Sequence, residues 1–219
     1  MKKCLITLAI MINCQADISV VGNGAVSAAP DLSKLTFKVI TKEADAKKSQ
    51  EKNTKKMNKV IEDLKSKFSL ETQDLKTTHY SLNPRYQYLQ NQPPKLIGME
   101  VVNEMTITID ELGKIPDIIN FLSAKEVSEI GSIQFQIKDK SALEKEALRH
   151  AFKDAKEKAE VLAKQAKLSI NNVKAISENV STYQGPTPLR MEAKMMARPT
   201  IESGDITVNA NISVTFKTD

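Results

Sequence analysis

His150 lies four residues after Glu146 and four before Asp154, so on a helix three groups able to hold a cation or move a proton would share one face. They fall opposite the apolar stripe expected for that helix, and Lys and Arg neighbours crowd them. That pattern favours a solvated charge run over a metal site. His79 sits among Thr77, Thr78 and Tyr80 with no second histidine nearby. A triad or a zinc site there would need groups converging from distant parts of the chain. The run Gly22-x-Gly24-x-x-Ser27 has the glycine spacing of a dinucleotide fingerprint, but Ala28-Ala29-Pro30 follows where a helix N-terminus is required. The glycines therefore mark a strand bulge or a close backbone approach. We expect no catalytic, cofactor-binding or metal-binding residues, no cofactor, and a protein that is not an enzyme.

Two other features bear on partners. The stretch from Glu43 to Phe68 carries Lys47, Lys48, Lys52, Lys55, Lys56, Lys59, Lys65 and Lys67 against Glu43, Asp45, Glu51, Glu62 and Asp63. Such a basic face serves solubility, and it is also suited to anionic lipid headgroups or an acidic partner, giving a possible peripheral contact with the envelope or a membrane surface. The segment 183–203 holds Met191, Met195 and Met196, and methionine is soft, adaptable and oxidisable. It can fold back over its own core, dock into a neighbouring subunit, or act as an oxidant sink. Three methionines are too few to scavenge in bulk, so of the functional roles docking is preferred. Met191, Met195 and Met196 are the candidate oligomer contact.

The N-terminus carries an address. Lys2-Lys3, an apolar run from Leu5 to Ile12 and Cys14-Gln15-Ala16 before Asp17 follow the plan of a cleaved secretory signal peptide. The run is far shorter than the roughly 20 residues that span a bilayer. A buried N-terminal strand or anchor is the alternative, and an acylated Cys14 meets Asn13 where a small residue is needed. Cleavage after Ala16 removes Cys4 and Cys14, the two cysteines of the chain, which excludes disulfides, thiolate nucleophiles and cysteine-ligated metals. Stability must then come from the hydrophobic core, and the chain is long enough to build one. The net charge of +5 falls to +3 once Lys2 and Lys3 are lost, too mild to imply nucleic acid.

Several elements must position these residues. Two extended segments, 18–29 and 32–40, are broken at Pro30-Asp31 and are expected to pair. A helix over 43–68 places Ala46, Gln50, Asn53, Met57, Val60 and Leu64 inward. A long hairpin over 72–110 turns at Gln90-Asn91-Gln92-Pro93-Pro94. A short helix from Leu112 to Ala124 tolerates Pro116 in its first turn, and Ile133, Phe135 and Ile137 alternate as a half-buried strand. A long helix over 144–168 is expected to bury Leu148, Phe152, Ala155, Ala159, Leu162 and Ala166, its alanines allowing close approach. Strands near 173–182 and 205–217 close the chain. This is an α+β fold, order approximately ββαββαβαββ, in which long amphipathic helices cover largely antiparallel sheets. No linker divides it, although its helix-containing halves could form two lobes.

Four runs, Val20-Val21-Gly22-Asn23-Gly24 with Pro30-Asp31, residues 81–88, the alanines Ala151, Ala155 and Ala159, and residues 204–210, occur in an order that resembles the SIMPL-domain family of bacterial oxidative-stress-defence and periplasmic immunogenic proteins. Val20-Val21-Gly22-Asn23-Gly24 with Pro30-Asp31 is similar to the family's opening, and Ser81-Leu82-Asn83-Pro84-Arg85-Tyr86-Gln87-Tyr88 to its hairpin arm. The alanine pattern around Ala151, Ala155 and Ala159, and Gly204-Asp205-Ile206-Thr207-Val208-Asn209-Ala210, match its long helix and last strand. Met99 stands where an aromatic is usual, and Lys167-Leu168-Ser169 lacks the usual glycines, so hairpin and helix-end geometry should differ locally. The resemblance implies export to the periplasm or the vicinity of the outer membrane. It also implies self-assembly, and it carries over no catalytic residues. The expectation is a signal peptide over 1–16 and one SIMPL domain over 17–219. Its function would be that of a self-assembling protein contributing to envelope or oxidative stress tolerance, with a ligand- or client-binding module at the envelope as the alternative.

Overall fold

The structure is a computed structural model that describes residues 16–183, 201 and 203–219. Among the described residues seven strands and three α-helices follow in the expected order ββαββαβαββ: β1 (Asp17–Ala28), β2 (Leu32–Glu43), α1 (Ala46–Phe68), β3 (Leu75–Gln87), β4 (Lys95–Ile109), α2 (Ile115–Ser123), β5 (Glu129–Gln136), α3 (Ser141–Ala166), β6 (Ile170–Tyr183) and β7 (Ile206–Thr218). They divide into two compact units, each with its own sheet.

One unit comprises residues 16–27, 139–183 and 207–219. Its three-stranded sheet runs β1-β7-β6, with β6 and β7 antiparallel and Val180 opposite Ala210. β7 alternates strictly: Val208, Ala210, Ile212, Val214 and Phe216 are buried beside the α3 alanines and Val20. Its other face is polar, with Thr207, Asn209, Asn211, Ser213 and Thr215 followed by Lys217. Ser19 and Ser27 of β1 bond the hydroxyls of Thr215 and Thr207 across that face, both at 2.9 Å.

The other unit has a four-stranded antiparallel sheet in the order β3-β4-β2-β5. β2 buries Ser33, Leu35, Phe37, Val39 and Thr41 on alternate positions. Met57, Val60, Leu64 and Phe68 of α1 and Ile115, Ile118, Phe121 and Leu122 of α2 complete that core, and Phe68 meets Phe121 edge to face at 5.6 Å. Asp45 starts α1 by accepting the Lys48 N–H at 3.0 Å. The inward face of its first turns is polar, as expected, but uses Ser49 with Asn53 while Gln50 is exposed. Ser49 and Thr41 bond one another's backbone carbonyls, and the Asn53 amide donates to the Val39 carbonyl at 2.8 Å. These bonds satisfy the Ser49 and Thr41 hydroxyls and the Asn53 side-chain N–H, groups that would otherwise be costly to bury.

The expected pairing of the first two strands does not occur. β1 joins β7 at the edge of one sheet, whereas β2 lies between β4 and β5 in the other. Both strands have the right periodicity, but the break at Pro30 releases them to distant partners.

Candidate functional site

The close approach anticipated at the alanines of α3 centres on two glycines. Ala147, Ala151, Ala155, Ala159 and Ala163 are all buried, one residue per turn at a constant spacing of four. A Cβ on Gly22 would lie 2.0 Å from the Ala151 carbonyl oxygen, and one on Gly24 the same distance from that of Ala147. Only hydrogen fits between strand and helix there. The expected stripe is thus right at Ala155 and Ala159, partly right at Leu148, which is half-buried against the same core, and wrong at Phe152, Leu162 and Ala166. Phe152 and Leu162 are 37% and 50% exposed and Ala166 is also exposed, because a seam this narrow has no room for a large side chain.

The polar groups beside that seam are solvent-exposed, as the sequence suggested, but they flank it rather than lie opposite it. Lys158 Nζ donates to the Val21 carbonyl at 3.0 Å, Asp154 Oδ2 accepts the Asn23 N–H at 2.7 Å, and His150 Nδ1 lies 3.4 Å from the Ala25 carbonyl. One helical row spaced by four therefore meets alternate residues along the edge strand β1. The hydrogen bond from Lys158 and the Asn23 N–H together hold the Asp154 carboxyl below its usual range. Asp154 is thereby committed to structure. Glu146 lies 3.2 Å from His150 Nε2, and no group of three His, Cys, Asp or Glu able to hold a metal occurs among the described residues. His79 is exposed on β3, opposite Glu104 of β4.

Three surfaces remain as places for a partner. The distal part of the β3–β4 hairpin exposes Tyr80, Tyr86, Tyr88, Leu89, Leu96 and Ile97, and Gly98 at φ +147° is fixed by the Glu43 carbonyl, which a Cβ would approach to 2.5 Å. In the unit built on β1, Val21, Val161 and Leu162 line an apolar hollow beside the strand edge. The third is a groove of about 750 Å³ between α1 and the end of α2, lined by Lys52, Lys55, Lys56, Lys59 and Lys125 with Val60, Ala124 and Glu126. The α1 lysines were legible as a basic face; the opposing wall from residues 124–126 was not, because nothing in local spacing announces which loop faces a helix. Met191, Met195 and Met196 lie outside the described residues.

Fold and surfaces together define a class: an α+β protein of two helix-backed antiparallel sheets. The SIMPL family, described as a protein of unknown function (DUF541), matches residues 18–216, and the chain belongs to that family. It is 27% identical over 213 residues to the 26 kDa periplasmic immunogenic protein of Brucella melitensis biotype 1, covering 92% of this chain and 84% of that one. It is 24% identical over 201 residues to the uncharacterized protein YggE of Edwardsiella ictaluri, covering 89% and 84%. YggE of Escherichia coli K12 is 23% identical over 200 residues, covering 90% and 80%. Among the described residues no helix is long and apolar enough to cross a membrane.

Proposed function

We propose that this chain is an exported, non-enzymatic periplasmic protein that self-assembles and contributes to tolerance of envelope or oxidative stress. The observation that carries the assembly is the hairpin arm. Six large apolar or aromatic side chains on one ribbon, each 42% or more exposed, exceed the scatter of single apolar residues normal on a monomer. The hollow at Val21, Val161 and Leu162 offers a second apolar surface, and the Met191, Met195 and Met196 segment a third contact.

Export is supported by the leader-like N-terminus and by a relative named periplasmic. The stress role rests on the family resemblance. Cleavage after Ala16 leaves no cysteine, so any oxidative role of the cleaved chain is indirect, thiol-based peroxide reduction having no nucleophile.

Light scattering of residues 17–219 tests the assembly. We expect an oligomer that shrinks when Tyr86, Leu96 and Ile97 are changed to serine, and again when Met191, Met195 and Met196 are. A strict monomer across micromolar concentrations overturns it. A strain lacking the protein should be more sensitive to peroxide or detergent; normal tolerance removes the stress role. A monomer that co-purifies with a lipid or peptide would instead favour a ligand- or client-binding module.

A further inference from the structure

We propose that the lysine groove between α1 and the end of α2 binds clustered phosphate, presented either by a free oligophosphate or by the headgroups of an anionic lipid surface. The inference is independent of assembly and rests on how charge is arranged in the groove.

Lys52, Lys55, Lys56 and Lys59 stand at i, i+3, i+4 and i+7, one face of α1 spanning about 10 Å along the axis. Lys125 faces them from the turn after α2. Three of the five are already paired: Lys52 with Glu43, Lys56 with Glu126 at 2.8 Å, and Lys125 with Asp63 at 2.7 Å. Lys55 and Lys59 make no ion pair among the described residues, so five cations meet three anions. They are also four apart on one helix, a like-charge spacing that disfavours the helix slightly. The surplus is felt by the acids. The Lys56 hydrogen bond, with the charges of Lys56, Lys59 and Lys52 behind it, holds the Glu126 carboxyl below its usual range, and Lys125, seconded by Lys59, does the same to Asp63.

A concave surface of one sign focuses its field and draws counter-ions inward. Its chemistry selects among them. The lining contains no arginine and so no two-point fork; it holds five ammonium groups, point charges that together suit the several oxygens of clustered phosphate. Val60 and Ala124 are the only apolar residues that line it, the rest of its apolar surface being lysine stems.

The test is calorimetric titration of the intact mature chain with sodium tripolyphosphate, beside co-sedimentation with vesicles of mixed phosphatidylglycerol and phosphatidylcholine or of phosphatidylcholine alone. At up to about 1 kcal/mol per lysine near an anionic surface, Lys55→Gln with Lys59→Gln should weaken binding about thirty-fold. Lys153→Gln with Lys156→Gln, the same charge change on the exposed face of α3, should cost less than about three-fold. Tripolyphosphate binding assigns a free ligand, and binding to the anionic vesicles alone assigns headgroups. The native chain gives a second readout, because bound phosphate should protect Lys55 and Lys59 from amine acetylation. Binding of neither probe, equal losses in the two double variants, or polyglutamate binding as tightly as tripolyphosphate would each overturn the proposal.

Discussion

The carboxylate of Asp154, on α3, accepts the backbone N–H of Asn23, on β1, at 2.7 Å across 131 residues of sequence, and it pairs at the same time with Lys158 at 2.6 Å. β1 is an edge strand, and an edge presents unpaired N–H and C=O groups to any passing strand. Here the helix that covers the sheet also reaches over its rim. Lys158 takes the carbonyl of Val21 and Asp154 the amide of Asn23, so two groups that could template strand addition are occupied within the chain. Backbone pairing at this edge is thereby blunted.

Asp154→Asn should lower stability at neutral pH, and the deficit should vanish in acid. The folded carboxyl titrates below its unfolded value, near 3.9 for aspartate, so its contribution is full above that pH and is lost as pH falls through the folded value. Thermal midpoints of both proteins from pH 7 to pH 2 check this. Curves that stay parallel throughout would show that the Asn23 and Lys158 contacts do not depend on charge.

The narrow seam predicts that size, not polarity, is what α3 cannot tolerate. Ala159→Leu should cost about 1–3 kcal/mol by overpacking a fully buried site. Gly22→Ala should cost at least as much, since its one added carbon meets a backbone oxygen at 2.0 Å that no rotamer change can move. Denaturant unfolding measures both, and an unchanged midpoint for either would place the buried face elsewhere.

Asn53→Ala should destabilise its unit by about 1–3 kcal/mol, the range for removing one partner of a buried hydrogen bond. Asn53 is fully buried and ties α1 to the Val39 carbonyl of β2 at 2.8 Å. Asn53→Leu keeps the volume and should cost less. Equal losses from the two would mean that the hydrogen bond, not the filled space, sets the stability of this contact, and chemical denaturation distinguishes them.

Local periodicity made the elements legible, and non-local geometry hid their partners. The alternation of Val208 to Phe216, the turn at Gln90 to Pro94 and the Met57-Val60-Leu64 stripe all came from spacing that each segment carries in itself. The pairing of β1 with β7 depends on residues nearly two hundred positions away, and Pro30 shows only that the chain breaks, not where it goes. On α3 the 4-3-4-3-4 stripe with alanines at its centre also runs through Phe152 and Leu162, although alanine at every fourth residue facing a Gly-x-Gly strand is the face that is buried. The lysine groove was half visible: α1 declares its basic face, while Lys125 and Glu126 reach it only through the packing of α2.

The end of α3 offers a gain in stability. Lys167 occupies the left-handed region at φ 59°, where a Cβ crowds the backbone, and Leu168 N–H closes the cap on the Ala163 carbonyl at 2.9 Å. Glycine adopts this conformation without the penalty but loses more entropy on folding, so Lys167→Gly should gain about 0.5–1 kcal/mol. The substitution also removes a cation from a helix C-terminus, which opposes the gain by a few tenths. Lys167→Ala isolates the conformational part, because it loses the same charge and keeps the Cβ. The glycine variant should therefore melt about 2–4 °C above the alanine variant for a difference of about 1 kcal/mol. Identical midpoints would mean that the cap opens at no cost and that α3 ends a turn earlier in solution.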